Sequence, residues 1–82
     1  MKVTFKLFAT LMPYLPSDAV KNAVDLDVSE GTSANDLIRR FSVPEKEVHL
    51  VLVNGIYLNE DDRNQALQPN DTLAIWPPVA GG

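Results

Sequence analysis

The six residues Pro77-Pro78-Val79-Ala80-Gly81-Gly82 are the part of this chain with chemistry of their own. They follow directly on an apolar run, Thr72-Leu73-Ala74-Ile75-Trp76, and end in an α-carboxylate. With a reference pKa near 3.5, that carboxylate is anionic at neutral pH and can attack a nucleotide phosphorus. Neither Gly81 nor Gly82 carries a Cβ, so this end can enter a slot too narrow for any side chain. Six residues beyond Trp76 reach up to roughly 20 Å. The paired prolines keep the first part stiff and extended, which lowers the entropy lost on insertion. The bland alternative is a frayed terminus or a cloning remnant.

No other group matches it. His49 is the only histidine and has no second ligand at helix or hairpin spacing, so it reads as structural or surface. Glu60-Asp61-Asp62 with Asp71 lacks the spacing and glycine of a calcium loop and reads as solvated loop; no metal site is expected. Ser17-Asp18 and Ser42 have no base to activate a hydroxyl. Arg39-Arg40 reads as a helix-end device with a lesser chance of touching a partner. There is no glycine-rich phosphate loop. The residues define no self-sufficient catalytic constellation.

Composition narrows the class. The 82 residues suit one domain, 45% hydrophobic and 22% charged, as in soluble globular proteins. Absence of cysteine excludes disulfides, thiolate metal sites and a thiol nucleophile within the chain, and fits a reducing cytoplasm. No apolar stretch has membrane-span length, and the start lacks a signal peptide's apolar core. Met1 running straight into a strand reads as an intact, untagged N-terminus. A net charge of −4 argues against nucleic acid and for steering toward a basic partner.

Hydropathy patterning supplies the elements. Residues 2–11 alternate, with Val3, Phe5, Leu7 and Ala9 on one face and Lys2, Thr4, Lys6 and Phe8 on the other. Residues 12–18, with Pro13 and Pro16, read as a loop. Residues 22–28 alternate again, setting Val24, Leu26 and Val28 against Ala23, Asp25 and Asp27. Ser33 and Asp36 resemble a capping box, and Ala34, Leu37, Ile38 and Phe41 form one helical stripe. The continuous apolar run at residues 49–53 suits a covered strand inside a sheet. Asn54-Gly55 suits a type I′ hairpin turn into the short strand Ile56-Tyr57-Leu58. Gln65-Ala66-Leu67 could form one helical turn, and Pro69-Asn70-Asp71 starts the last strand, Thr72–Trp76.

One amphipathic helix on one face of a mixed sheet of four to five strands buries all these stripes. This α+β order is that of the β-grasp, or ubiquitin-like, arrangement, with a domain at residues 1–76 and a flexible tail at 77–82. The alternation then puts Phe8, Tyr57 and Trp76 on the sheet face the helix leaves open, with Ile56 and Leu58 facing in. Scattered exposed aromatics are normal, but a contiguous patch more often marks a binding surface.

The whole pattern resembles the MoaD/ThiS family of ubiquitin-like sulfur carriers. The residues that carry the resemblance are Lys2-Val3-Thr4-Phe5-Lys6-Leu7-Phe8-Ala9, the helix at 33–41, Val53-Asn54-Gly55, Pro69-Asn70-Asp71, and Trp76-Pro77-Pro78-Val79-Ala80-Gly81-Gly82. The paired prolines look like the ending of the small subunit of molybdopterin synthase. One departure is the short helix with a compressed 42–48 connection.

The resemblance implies that an E1-like adenylating enzyme joins the Gly82 carboxylate to AMP from ATP. A sulfur donor fed by a cysteine desulfurase, or of rhodanese type, then makes the thiocarboxylate. The tail enters a large synthase subunit and gives sulfur to cyclic pyranopterin monophosphate. Phe8, Tyr57 and Trp76 fall where family members dock partners, and Tyr57 is the loosest match. On this reading the chain is no enzyme alone, binds no cofactor, nucleic acid or membrane, is monomeric when free and is cytoplasmic. The alternatives are a carrier for thiamine or another thiolation pathway, a modifier joined through Gly82 to lysines, and a plain β-grasp interaction domain.

Overall fold

A computed structural model of the chain describes residues 1–78. Strand β1 (Lys2–Leu7) realises the opening alternation, with Val3, Phe5 and Leu7 fully buried. It ends earlier than the pattern predicts. Ala9 takes a left-handed φ of 53° and is exposed, so it leaves the inward face on which the alternation put it. The stretch read as a loop begins instead with a 3₁₀ turn over Ala9–Tyr14. Pro13 is tolerated there because its fixed φ is close to that of a 3₁₀ turn. That turn drives Leu11 into the core.

Strand β2 (Ala23–Asp27) runs antiparallel to β1, burying Val24 and Leu26 while Asp25 and Asp27 face solvent. Helix α1 (Ala34–Arg40) follows. Its capping box is complete, since the Ser33 hydroxyl accepts from the Asp36 N–H at 3.2 Å and the Asp36 carboxylate accepts from the Ser33 N–H at 2.9 Å. Asp36 thus serves where Glu is usual. The Ser33 backbone and side-chain hydrogen bonds, then the Arg39 guanidinium at 2.7 Å, hold its carboxyl below the usual aspartate value.

A depressed acid contributes stability above its ordinary pKa and loses it as pH falls through the lowered folded value. Asp36→Asn is therefore expected to be less stable than wild type at neutral pH. The gap should close as pH drops below about 3.9, the ordinary aspartate value. Urea titrations at neutral and acid pH check this, and a gap that persists in acid would refute it.

Ala34, Leu37 and Ile38 bury the helix stripe, and the Phe41 ring stacks on Phe5 at 5.2 Å. Leu37 is 1% exposed and belongs to the same core. Leu37→Ala should cost about 2–5 kcal/mol through lost burial and a residual cavity. Since total stability is of order 5–15 kcal/mol, the urea midpoint should fall steeply.

Strand β3 (Leu50–Val53) turns at Asn54-Gly55 into β4 (Ile56–Tyr57). Positive φ values of 53° and 81° at the two turn residues are those a type I′ turn requires. Asn54 also joins the hairpin to the start of the last strand. Its side chain accepts from Thr72 N–H at 2.8 Å and donates to the Asp71 carboxylate at 2.8 Å.

Strand β5 (Thr72–Trp76) lies between β1, to which it is parallel, and β3, to which it is antiparallel. The sheet order is β2-β1-β5-β3-β4, with the helix on one face. This is the mixed five-stranded sheet of the β-grasp arrangement.

Two local expectations need correcting. Ile56 stands opposite Val53 on the helix-side face, as the alternation predicts, but it is 73% exposed rather than buried, because the two-residue edge strand β4 lies at the margin of the sheet. Gln65-Ala66-Leu67 is no helical turn. Ala66 bridges to Ser33, and Leu67 donates to the Thr32 carbonyl at 2.8 Å, pinning the segment extended beside the helix start. The helical turn falls earlier, at Glu60–Asp62.

Candidate functional site

The open face of the sheet is built row by row from the strand register. Lys6 stands opposite Ala74, Ala74 opposite Leu52, and Leu52 opposite Tyr57. One pleat further toward the end of β5, Leu50 stands opposite Trp76. Phe8 lies just past β1 but stays extended, and its N–H donates to the Ile75 carbonyl at 3.2 Å. That places its ring on Trp76, with centroids 3.8 Å apart and planes within 5°.

Phe8 and Trp76, at opposite ends of the chain, therefore form one stacked pair. Tyr57, 52% exposed, lies on the same face on β4, two strands from β5, and is linked to the pair through Leu52 and Leu50. Ala74, small enough to be covered by these neighbours, is buried although it faces outward, and forms the floor between them. Leu50 and Leu52 are the members that sequence reading missed. The signal was there in the alternation of residues 49–53, but it acquires a face only once Trp76 is known to sit opposite Leu50.

Polarity changes along the same face. At the start of β5, Thr4 donates to the Asp25 carboxylate at 2.9 Å and Thr4 stands beside Thr72. The apolar end is thus the end where the chain leaves the sheet. The N–H of His49 donates to the Trp76 carbonyl at 3.0 Å, closing the ladder there. Pro77 has no N–H to extend it. Pro77 is buried and Pro78 exposed, so burial extends one residue past Trp76. The expected reactive and inserting residues Val79, Ala80, Gly81 and Gly82 lie outside the described residues.

The remaining candidates fall apart spatially or find partners. Asp71 accepts from Asn54 and from the Gln68 N–H at 2.7 Å. Asp62 accepts from Gln65 at 3.2 Å. Arg39 pairs with Asp36, and the Arg40 guanidinium lies 5.1 Å from the Phe41 ring centroid. Among the described residues no three His, Cys, Asp or Glu side chains converge on a point that could hold a metal. No described helix is long and apolar enough to cross a membrane.

The fold and this face define a ubiquitin-like β-grasp protein, and solved structures agree. The crystal structure of SAMP1 from Haloferax volcanii superposes with a TM-score of 0.69 at 25% identity, covering 100% of both chains. A chain of the protein–protein complex of subunits 1 and 2 of molybdopterin-converting factor from Helicobacter pylori 26695 matches over 100% of both chains with a TM-score of 0.59. At 20% identity, it supports the fold alone.

Sequence narrows the class further. The molybdopterin synthase sulfur carrier subunit of Dictyostelium discoideum is 37% identical over 93% of this chain and 91% of its own length. The ThiS family model matches residues 5–82, and the chain belongs to the ThiS family.

Proposed function

We propose that this chain is a sulfur carrier whose Gly82 carboxylate is adenylated, converted to a thiocarboxylate and used to donate sulfur in molybdopterin synthesis. The observation that carries the reading is the family match, which runs through the Gly-Gly end itself, together with the 37% identical relative named a sulfur carrier subunit. On this reading the chain is a carrier subunit and the catalysis belongs to its partners.

The chemistry needs little from the body. The carboxylate oxygen attacks the α-phosphorus of ATP held by an E1-like enzyme, pyrophosphate leaves, and the acyl carbon becomes electrophilic. A sulfide-level sulfur nucleophile supplied by a donor protein then adds to that carbon, and AMP leaves with the electron pair of the acyl C–O bond, giving the thiocarboxylate. Both steps need an unbranched acyl group that reaches a narrow active site, and Gly81-Gly82 supply it. The body supplies docking: the Phe8–Trp76 stack, with Leu50, Leu52 and Tyr57 beside it, lies where the chain leaves the sheet.

The relevant partners are the adenylating enzyme and, as the acceptor of the charged tail, a large synthase subunit. The 37% identical Dictyostelium relative is named a subunit of molybdopterin synthase, which supports this second partner. A carrier that visits two sites in turn needs modest, reversible interfaces.

Intact mass spectrometry of the protein purified from cells tests the reading. A gain equal to the exchange of one oxygen for sulfur at Gly82 is expected when sulfur donors are present. A population found only as isopeptide adducts on lysines would replace the carrier with a modifier.

A further inference from the structure

Behind the sheet, between α1 and the 3₁₀ turns at Glu45–Glu47 and Glu60–Asp62, lies a cavity of about 290 Å³. It is lined by Asn35, Ile38, Glu45, Val48, Glu60 and Arg63. Arg63 is 8% exposed, a rare burial for a permanently charged side chain. Its backbone holds the local fold, since its carbonyl accepts from the Asn35 N–H at 3.0 Å. Its guanidinium is much less occupied. Among the described residues, the single hydrogen bond is from Nε to the Leu58 carbonyl, at 3.4 Å.

A guanidinium has five N–H donors in a planar fork, and four of these belong to the terminal nitrogens. No described side-chain nitrogen is both sealed from solvent and without a partner, so the fork ends are open to solvent, and Arg63 is among the residues that line the cavity. Glu45 and Glu60 line the same space and make no ion pair with Arg63. A guanidinium whose stem is packed away and whose fork ends stay open can take a counter-charge with matching hydrogen bonds.

The wall chemistry defines the occupant. The Arg63 fork selects a carboxylate, which it can bind through two parallel hydrogen bonds. Two carboxylates on the rim select a cation on the same molecule and disfavour a simple anion. Ile38 and Val48 offer an aliphatic contact. The volume lies just below the roughly 300 Å³ at which drug-sized ligand pockets begin. We propose that this cavity is a binding site for an amino-acid-sized zwitterion. Its carboxylate binds the Arg63 guanidinium, its ammonium group faces Glu45 and Glu60, and its aliphatic group lies on Ile38 and Val48. The site is remote from the aromatic face and independent of the sulfur-carrier reading.

Titration of the ¹⁵N-labelled full chain with L-leucine tests this by nuclear magnetic resonance. Saturable shifts are expected at Arg63 Nε–H and at the amides of Asn35 and Val48. Leucinamide, which lacks the carboxylate, and 4-methylpentanoate, which lacks the ammonium, should each bind at least about tenfold more weakly, as expected for loss of a charged hydrogen bond. Arg63→Lys should weaken leucine similarly. Because Arg63 is buried, the exposed pair Glu45→Gln with Glu60→Gln supplies a variant that spares the core. It should lose leucine affinity without losing affinity for 4-methylpentanoate. Absence of saturation up to the solubility of leucine, equal binding of leucine and 4-methylpentanoate, or an unchanged leucine affinity in the double variant would each overturn the proposal.

Discussion

Deleting Gly82 should reduce sulfur loading by more than about 10²-fold while leaving the unfolding midpoint unchanged. The reacting atoms are those of the terminal carboxyl, so removal of one residue draws the carboxylate back by roughly 3.3–3.6 Å. A displacement of about 1 Å can already cost 10²-fold when geometry controls a step. The shortened chain still ends in a carboxylate and in Gly81, so charge and slenderness are retained and reach is what changes. The core is complete by Ile75, with Val3, Phe5, Leu37, Val51 and Leu73 all buried ahead of the tail. Its stability should therefore stay within about 0.5 kcal/mol of the parent, as for other changes remote from packing. Thiocarboxylate yield with the activating enzyme, ATP and a sulfur donor reads the first effect, and urea unfolding reads the second. Full loading of the truncated chain would remove Gly82 from the chemistry.

Trp76→Ala is the second large effect, expected to weaken binding to the activating enzyme or the large subunit by at least about 1 kcal/mol. Large, rigid aromatics near the centre of an interface provide the anchoring contact. Trp76 also presents Phe8, since the two rings stack at 3.8 Å, so truncation removes one surface and frees the other. Trp76→Phe should retain most of the affinity because a ring still faces Phe8. At the polar end of the same face, Asp25→Asn should leave affinity near wild type, since Asp25 bonds to Thr4 away from the aromatic pair. Calorimetry decides the matter: equal affinities for wild type and Trp76→Ala would mean that partners dock elsewhere.

Much of this was legible before any coordinates. Period-two alternation marked β1 and β2, the stripe from Ala34 to Phe41 marked the helix, and Asn54-Gly55 marked the hairpin. Misreadings came where short-range pattern had no long-range information. Ala9 continued the alternation, yet a left-handed φ turned the chain into a 3₁₀ segment that buries Leu11 instead. Ile56 had the residue type of a core position, but it lies on an edge strand at the margin of the sheet. Arg63 sits among the polar residues Asp61, Asp62 and Asn64 in the sequence. Its burial comes from the helix and two turns closing around it, and no local signal announces that.

The amino-acid sequence alone determined the main strands and the helix, the face of most strand residues and the Gly-Gly end free of side chains, because dihedral preference and hydrophobic period are local properties. Tertiary structure alone decided which strands are neighbours. Insertion of β5 between β1 and β3 set Trp76 against Phe8 on one side and Leu50 on the other, turning separate apolar residues into one surface beside the departing chain. Alternation assigns a side chain to a face but carries no information about register between distant strands, which follows from burying every stripe under one helix at once.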